Sequence, residues 1–451
     1  MTSSLLRNDR RKWDYLPEYA LAQTPRYTSY PPANRFSTNV DAKMASAALA
    51  ALPAQASLSL YLHIPFCKKL CWYCGCHTSV PTIADPVETY VDALVREIET
   101  VSALVSSDTK VSHIHFGGGS PDILTPSQIR RLFSAIRSSF RVQSFAEIAA
   151  ELDPRGVASD VVDAFAEGGL TRASLGVQVV DACVQKLINR VQSRDEITIA
   201  VRLLRDAGIS SLNLDIMYGL PGQTREHVIE TALFVASNDA DRVATFGYAH
   251  VPWMKKHQNG ISTHDLASGE QRFRQAEAAA MTLESAGYIS VGFDHFAAPG
   301  DSLVTAEREG GLRRNFQGYT DDNADALIAF GASAISSLPD LTYQNTTDTT
   351  LYRATAAQGK LPVVRGVALS SNDKRVGSLI ERILCDFEVD APGDMLIAAC
   401  PALSRMVSAG LVILSGTHLT VTDRGRPYVR NVAACFDPEF AHAAGRHSLA
   451  I

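Results

Sequence analysis

From about residue 57 the chain alternates short apolar runs with longer amphipathic ones. The runs at 57–64, 111–118, 146–153, 171–178, 211–219 and 242–251 have strand length, and 111–118 (VSHIHFGG) alternates apolar with polar positions. Between and after them, 86–105, 126–140, 160–169, 195–208, 225–236 and 269–287 read as helices, two of them stopped by Gly169 and Gly208. A further run at 288–297 reads as one more strand. Six or seven strand–helix units in succession predict an α/β fold, with parallel strands joined by right-handed crossovers in a barrel or open sheet. Chemistry in such barrels sits at the C-terminal ends of the strands, so those positions are the ones to inspect.

The flanks read differently. Before the first strand, RYTSYPPA (26–33) is too rich in Pro and Tyr for a simple helix. Beyond about 300 the alternation fades, and 350–430 reads as helical with a small hairpin near 411–422. The expected division is an N-terminal arm over 1–55, an α/β barrel over 56–300, and a mainly helical C-terminal domain over 301–451 packed on the barrel. There is no repeat at solenoid period and no low-complexity tract.

Composition narrows the class. The 451 residues are 46% hydrophobic and 20% charged, which suits a folded globular chain. Lys plus Arg number 42 against 48 Asp plus Glu, a formal charge of −6 that argues against a nucleic-acid partner. The polar N-terminus carries no secretory pattern, and no apolar run is long enough to span a membrane, so a cytoplasmic protein with reduced thiols is expected. The basic run Arg7–Lys12 reads as a solvated arm.

The cysteines change the picture most. Of eight, four fall at 67, 71, 74 and 76. Cys67, Cys71 and Cys74 stand at CxxxCxxC spacing just after the first strand. Three thiolates in one loop can hold three corners of a 4Fe–4S cube and leave the fourth iron open to a small molecule. Structural zinc wants four ligands, normally as two separate knuckles, and Cys76 lies awkwardly close to Cys74 to serve as a fourth. One strand further on, HFGGGSP (115–121) offers bare backbone for close approach of a ligand.

The spacing resembles that of the radical S-adenosylmethionine (SAM) superfamily. That resemblance implies a partial (β/α)6-type barrel in which SAM chelates the open iron and is cleaved by the reduced cluster to a 5′-deoxyadenosyl radical. A closer resemblance, over residues 25–440, is to the oxygen-independent coproporphyrinogen III oxidase family. It rests on PRYTSYPPA (25–33), SLYLHIPFCKKLCWYCGCH (59–77), EIAAELDPR (147–155), SLGVQ (174–178), NRVQ (189–192), NLDIMYGLPGQT (213–224), FGYAHVP (246–252), FDHFA (293–297), RNFQGYT (314–320) and GASAIS (331–336). The resemblance implies oxidative decarboxylation of two propionates of coproporphyrinogen III to vinyl groups, giving protoporphyrinogen IX in haem biosynthesis. It further implies two bound SAM molecules, an electron donor for the cluster, an electron acceptor the sequence does not name, and a monomer.

By position, the resemblance puts Tyr61, Gly118, Glu151 and Ile335 around the cluster-bound SAM, with Tyr61 and Glu151 also in catalytic roles. It puts Tyr73, Gly119, Ser120, Gln178, Arg190, Asp215 and Ala249 around the second SAM. Arg26 and Tyr30 are candidates for meeting substrate carboxylates; for Cys76, a role by the cluster and plain packing both stay open. His113 and His115 are expected to pack in the strand beside the glycines, His295 to bond substrate or pack beneath it, and Lys255–His257 to begin a solvated helix. Val179 and Ala298 depart from the family pattern, which commonly has an acidic and a basic residue there. The alternative is a related radical SAM protein that degrades or carries haem. CGC (74–76) and RNFQGYT argue against degradation, and Gln178, Arg190 and Asp215 argue against a haem chaperone.

Overall fold

The structure is a computed structural model that describes residues 12–81 and 85–440. Six strands form its centre: β1 (Ser57–Ile64), β2 (Lys110–Gly118), β3 (Arg141–Leu152), β4 (Arg172–Gln178), β5 (Ser211–Tyr218) and β6 (Arg242–Gly247). They pair in parallel in sequence order. The crossovers are helices opened by reciprocal side-chain caps, among them Thr125 with Gln128, Ser193 with Glu196 and Thr224 with His227.

Between bulges near Leu58, Val111 and Gly176 the strands alternate. Leu58, Leu60, Leu62 and Ile64, then Ile114 and Phe116, Ile148 and Ala150, Leu175 and Val177, and Leu212 and Leu214 belong to one continuous apolar core. The residues between them turn to the concave side. There Tyr61 is level with His115, His115 with Ala149, Glu151 with Ser174, and Ser174 with Asn213. Period-two geometry therefore gives a polar inner wall and a greasy outer one from the same strands.

At both edges the sheet departs from expectation. The run 288–297 is a hairpin rather than one more barrel strand, with β7 (Ile289–Val291) and β8 (His295–Ala297) antiparallel to each other and β8 antiparallel to β6. Gly292 turns the chain at φ 58° with the Tyr319 ring occupying the space a side chain would need. A two-stranded ribbon, β9 (Arg313–Asn315) and β10 (Gly318–Thr320), follows. Next, β11 (Ala326–Phe330) pairs in parallel with β1, and β12 (Ile335–Ser337), β13 (Leu341–Asn345) and β14 (Val363–Ala368) extend that edge antiparallel. The main sheet thus draws four strands from chain expected beyond the barrel; the alternation fades there because these strands are short.

A second core gathers Ile380, Ile383, Leu384, Leu403, Leu411, Tyr428 and Val432. It includes the hairpin expected near 411–422, as β16 (Val412–Ser415) and β17 (His418–Val421), with β15 (Glu388–Asp390) beside β17. Tyr19 and Tyr27 of the arm pack into this core. The basic run 7–12 lies outside the described residues except for Lys12, which pairs with Glu284. Among the described residues no helix is long and apolar enough to cross a membrane.

Behind the sheet, Glu97 is buried and accepts from the Gly331 amide at 2.8 Å, Asn345 Nδ2 at 2.7 Å and the Tyr352 hydroxyl at 2.6 Å. These bonds fix the turn between β11 and β12. Burial pushes the Glu97 carboxyl up from 4.5 to about 7. A raised carboxyl stabilises the fold fully below its unfolded pKa, and that contribution is lost as pH rises through the folded value. Relative to Glu97→Gln, the wild-type melting temperature is therefore expected to fall between pH 4.5 and 7; parallel curves would show that Glu97 does not titrate there.

Candidate active site

The cysteine loop leaves the C-terminal end of β1 and folds against the end of β2. The Gly119 amide donates to the Ile64 carbonyl and the Ser120 amide to the Phe66 carbonyl, both at 2.8 Å. A Cβ on Gly119 would stand 2.4 Å from the Phe66 oxygen, so two backbones touch where a side chain would separate them. Gly118, at φ 106°, has the His63 ring at 2.6 Å from the position its Cβ would take.

Polar contacts clasp the loop along its length. Asn189 Nδ2 donates to the Leu70 carbonyl at 2.8 Å, Gln258 Nε2 to those of Tyr73 at 3.0 Å and Ala249 at 3.3 Å, and the Trp72 amide to the Ile188 carbonyl at 3.0 Å. Lys255 Nζ donates to the Cys76 carbonyl at 2.9 Å and His257 Nε2 to that of Cys74 at 2.7 Å. The expectation that Lys255–His257 only begins a solvated helix fails for these two residues, because loop carbonyls need donors. Lys256 alone is exposed.

Arg155 and Arg190 each bring a guanidinium nitrogen to 3.4 Å from the Cys71 sulfur. Asp153 binds both, at 2.5 Å from Arg155 and 3.3 Å from Arg190. Burial opposes its charge, but the two arginines hold its carboxyl down at about 2. The neighbouring Cys76 thiol draws Cys74 below its ordinary value, toward the thiolate that binds iron, whereas burial pushes Cys67 up to about 12, so that ligation there must displace a proton. Among the described residues no three His, Cys, Asp or Glu side chains already meet at one ion position. A 4Fe–4S cube does not ask that of its ligands, since each thiolate takes a different iron. Three thiols in one clasped loop, with two guanidinium groups to balance an anionic cluster, fit such a group.

Beside the loop, the concave wall encloses a cavity of about 470 Å3. Tyr61, Gly118, Glu151, Asp215 and Ile335 all line it, and so does Cys76. Glu151 accepts from the Gly118 amide at 3.3 Å and pairs with His115 Nε2 at 3.1 Å. Burial raises its carboxyl, but the bond and charge of His115 together with the Gly118 amide outweigh that and keep it below its ordinary value. Asp215 accepts from Ser174 at 3.0 Å and Asn213 at 2.7 Å, and burial nonetheless pushes it up to about 6. Tyr61 stacks on His115 and meets Phe316 edge-on at 4.7 Å. His63 Nε2 donates to the His77 carbonyl at 3.0 Å, so its Nδ1 accepts from the Tyr61 hydroxyl at 3.1 Å. That ring is neutral, because burial pulls it down to about 4.

The other expected SAM residues lie outside this cavity's lining. Gln178 and Arg190 converge over Gly176, and Arg190 donates to the Gly176 carbonyl at 2.5 Å. Tyr73 packs beside Trp72 against Val179, Val184 and Ile188. Ser120 is buried and bonded to Asp122. His113 pairs with Asp322 at 3.0 Å, and His295, which lines the cavity, with Asp294 at 2.6 Å. Arg26 donates to the Gly247 carbonyl at 2.7 Å, whereas Tyr30 turns away to Asp437 at 3.3 Å. Val179 is buried among Val184, Ile188 and Leu220, where a carboxylate would be desolvated. Asp153 and Arg155 were missed as site residues, although DPR stands at the end of the EIAAELDPR stretch.

Comparison with known proteins places this geometry. The Radical SAM superfamily profile matches residues 61–235. Oxygen-independent coproporphyrinogen III oxidase from Bradyrhizobium diazoefficiens is 42% identical over 447 residues, covering 97% of this chain and 99% of that protein. The enzyme of the same name from Paracoccus denitrificans is 40% identical, covering 95% of this chain and 97% of that protein. The solved structure of coproporphyrinogen III oxidase from Escherichia coli, described as a radical SAM enzyme, superposes with a TM-score of 0.89 at 36% identity, covering 95% of this chain and all of that one. Barrel, cysteine loop and glycine turn define a radical SAM enzyme, whose cofactors are a 4Fe–4S cluster and SAM. Within that class, the chain belongs to the oxygen-independent coproporphyrinogen III oxidase family.

The contact between the β1 loop and the β2 end yields a test. Gly119→Ala is expected to cost about 2 kcal/mol or more, since its Cβ meets carbonyl oxygens rather than movable side chains. Thermal melting and iron content after cluster rebuilding should both fall; a variant that melts and loads like wild type would show that the contact can open freely.

Proposed function

We propose that this enzyme decarboxylates two propionate side chains of coproporphyrinogen III to vinyl groups without oxygen, in haem biosynthesis. The observation that supports this most is the cavity itself, which runs from Cys76 and Gly118 at the cysteine loop to Phe316, Gln317 and Thr320 of the RNFQGYT segment. It joins the place where a radical would arise to the place where a large substrate would lie. When bound, the cluster and SAM supply a radical that removes hydrogen from the propionate carbon next to the pyrrole, after which CO2 and one electron leave to give the vinyl group.

The chain's own residues prepare that chemistry. Cys67, Cys71 and Cys74 hold the cluster, with Arg155 and Arg190 offsetting its negative charge. Glu151, ionised and anchored by His115 and the Gly118 amide, receives the hydroxyl or ammonium groups of the first SAM. Tyr61 and Ile335 close the cavity around it. Tyr73, Gly119, Ser120, Gln178, Arg190, Asp215 and Ala249 serve the second SAM, where the Arg190 fork suits a carboxylate. An electron donor for the cluster and a one-electron acceptor complete the balance.

Purified without oxygen and rebuilt with iron and sulfide, the protein is incubated with SAM, a reductant, coproporphyrinogen III and cell extract as acceptor. Vinyl product with two SAM cleaved per substrate is expected. SAM cleavage with no vinyl product would retain the class and overturn the substrate; stable haem binding without methionine release would favour a haem carrier. Cys71→Ser should lose iron, SAM cleavage and product together, by at least a hundredfold in rate.

A further inference from the structure

A second, smaller pocket lies behind the substrate end of the main cavity. It holds about 110 Å3, and Phe246, Phe316 and Gln317 line both spaces. Four arginines line it: Arg26 of the arm, Arg272 of the helix Gly269–Ser285, Arg314 of β9, and Arg430 of the C-terminal helix Val429–Ala434. These segments are far apart in sequence. Among the described residues of the lining, Asp294 is the one carboxylate.

Asp294 binds Arg314 through two contacts, at 3.1 and 3.3 Å, and His295 at 2.6 Å. Arg26 and Arg272 donate to the carbonyls of Gly247 and Tyr248, each at 2.7 Å. Arg430 is buried and held down to about 10, first by burial and then by repulsion from Arg26 and Arg314. Two buried donors on the lining, Arg314 Nε and Gln317 Nε2, have no hydrogen-bond partner. Four guanidinium groups on one small lining favour an anion there, and buried donors want acceptors.

We propose that this pocket binds a propionate carboxylate of the porphyrinogen that is not being decarboxylated, and so sets which side chains reach the radical. The proposal rests on the function proposed above. A fork-shaped guanidinium matches a carboxylate, and the volume suits one carboxylate-bearing arm rather than a macrocycle. Phe316 and Gln317 form the shared wall over which that arm reaches from the main cavity. Arg26 is exposed at the rim, so the arm of the protein supplies the entrance side of the pocket.

Coproporphyrin III, the stable oxidised form, serves as a probe by fluorescence titration of the rebuilt enzyme, with its tetramethyl ester as the uncharged control. Arg26→Gln and Arg430→Gln are each expected to weaken coproporphyrin III about tenfold, the worth of one charge-assisted hydrogen bond, and to leave ester binding as in wild type. Arg430→Lys should recover part of the loss. Equal weakening of acid and ester, or a loss of SAM affinity instead, would overturn the assignment. If Arg430→Gln does not fold, Arg26→Gln decides, because its exposed side chain carries little of the core. A wild-type enzyme that forms vinyl product while both Gln variants bind and turn over like it would sink the arginine pocket alone; a wild type with no vinyl product would sink the function it rests on.

Discussion

Parallel pairing of β1 to β6, in register between a few bulges, is the constraint on which the rest depends. It brings the C-terminal ends of the strands to one rim, so the β1 loop with its cysteines meets the glycine end of β2. It also sorts side chains by parity. Tyr61 and His63, His115, Glu151, Ser174 and Asp215 all face the cavity because their neighbours one residue away face the core. A slip of one residue in any strand would bury its carboxylate or histidine in the core and send leucine or isoleucine into the site.

Electrostatics divides the concave surface into zones. Near the cysteine loop, Arg155 and Arg190 flank Cys71 and share Asp153, an arrangement that suits an anionic cluster. Along the wall, Glu151 and Asp215 present acceptors, one held ionised by His115 and the other raised to about 6 by burial. Behind Phe316 the sign reverses again, and four arginines gather around Asp294. The chain as a whole is mildly acidic, so attraction for an acidic substrate has to be local.

Much of this is legible in the sequence alone. The six strands of the barrel were readable from their apolar runs, and the cysteine loop and the glycine end of β2 from their spacing. Tyr61, Gly118, Glu151 and Ile335, expected around one SAM, line the same cavity as Asp215, expected around the other. The edges were not legible. The run 288–297 looked like one strand because the turn at Gly292 lies inside an apolar stretch, and β11 to β14 are too short to declare a period. Lys255 and His257 looked like solvated cations because nothing in the sequence says which carbonyls they meet.

Local pattern determined what needs only neighbours in sequence: the alternation that makes a strand two-faced, the caps that open helices, and three thiols in one loop. The tertiary structure alone decided what needs partners far along the chain. Arg26, Arg272, Arg314 and Arg430 come from an arm, a helix, a ribbon and the C-terminal unit, and no spacing relates them. The physical reason is that charge balance is a property of a volume, and the chain fills that volume from segments tens to hundreds of residues apart.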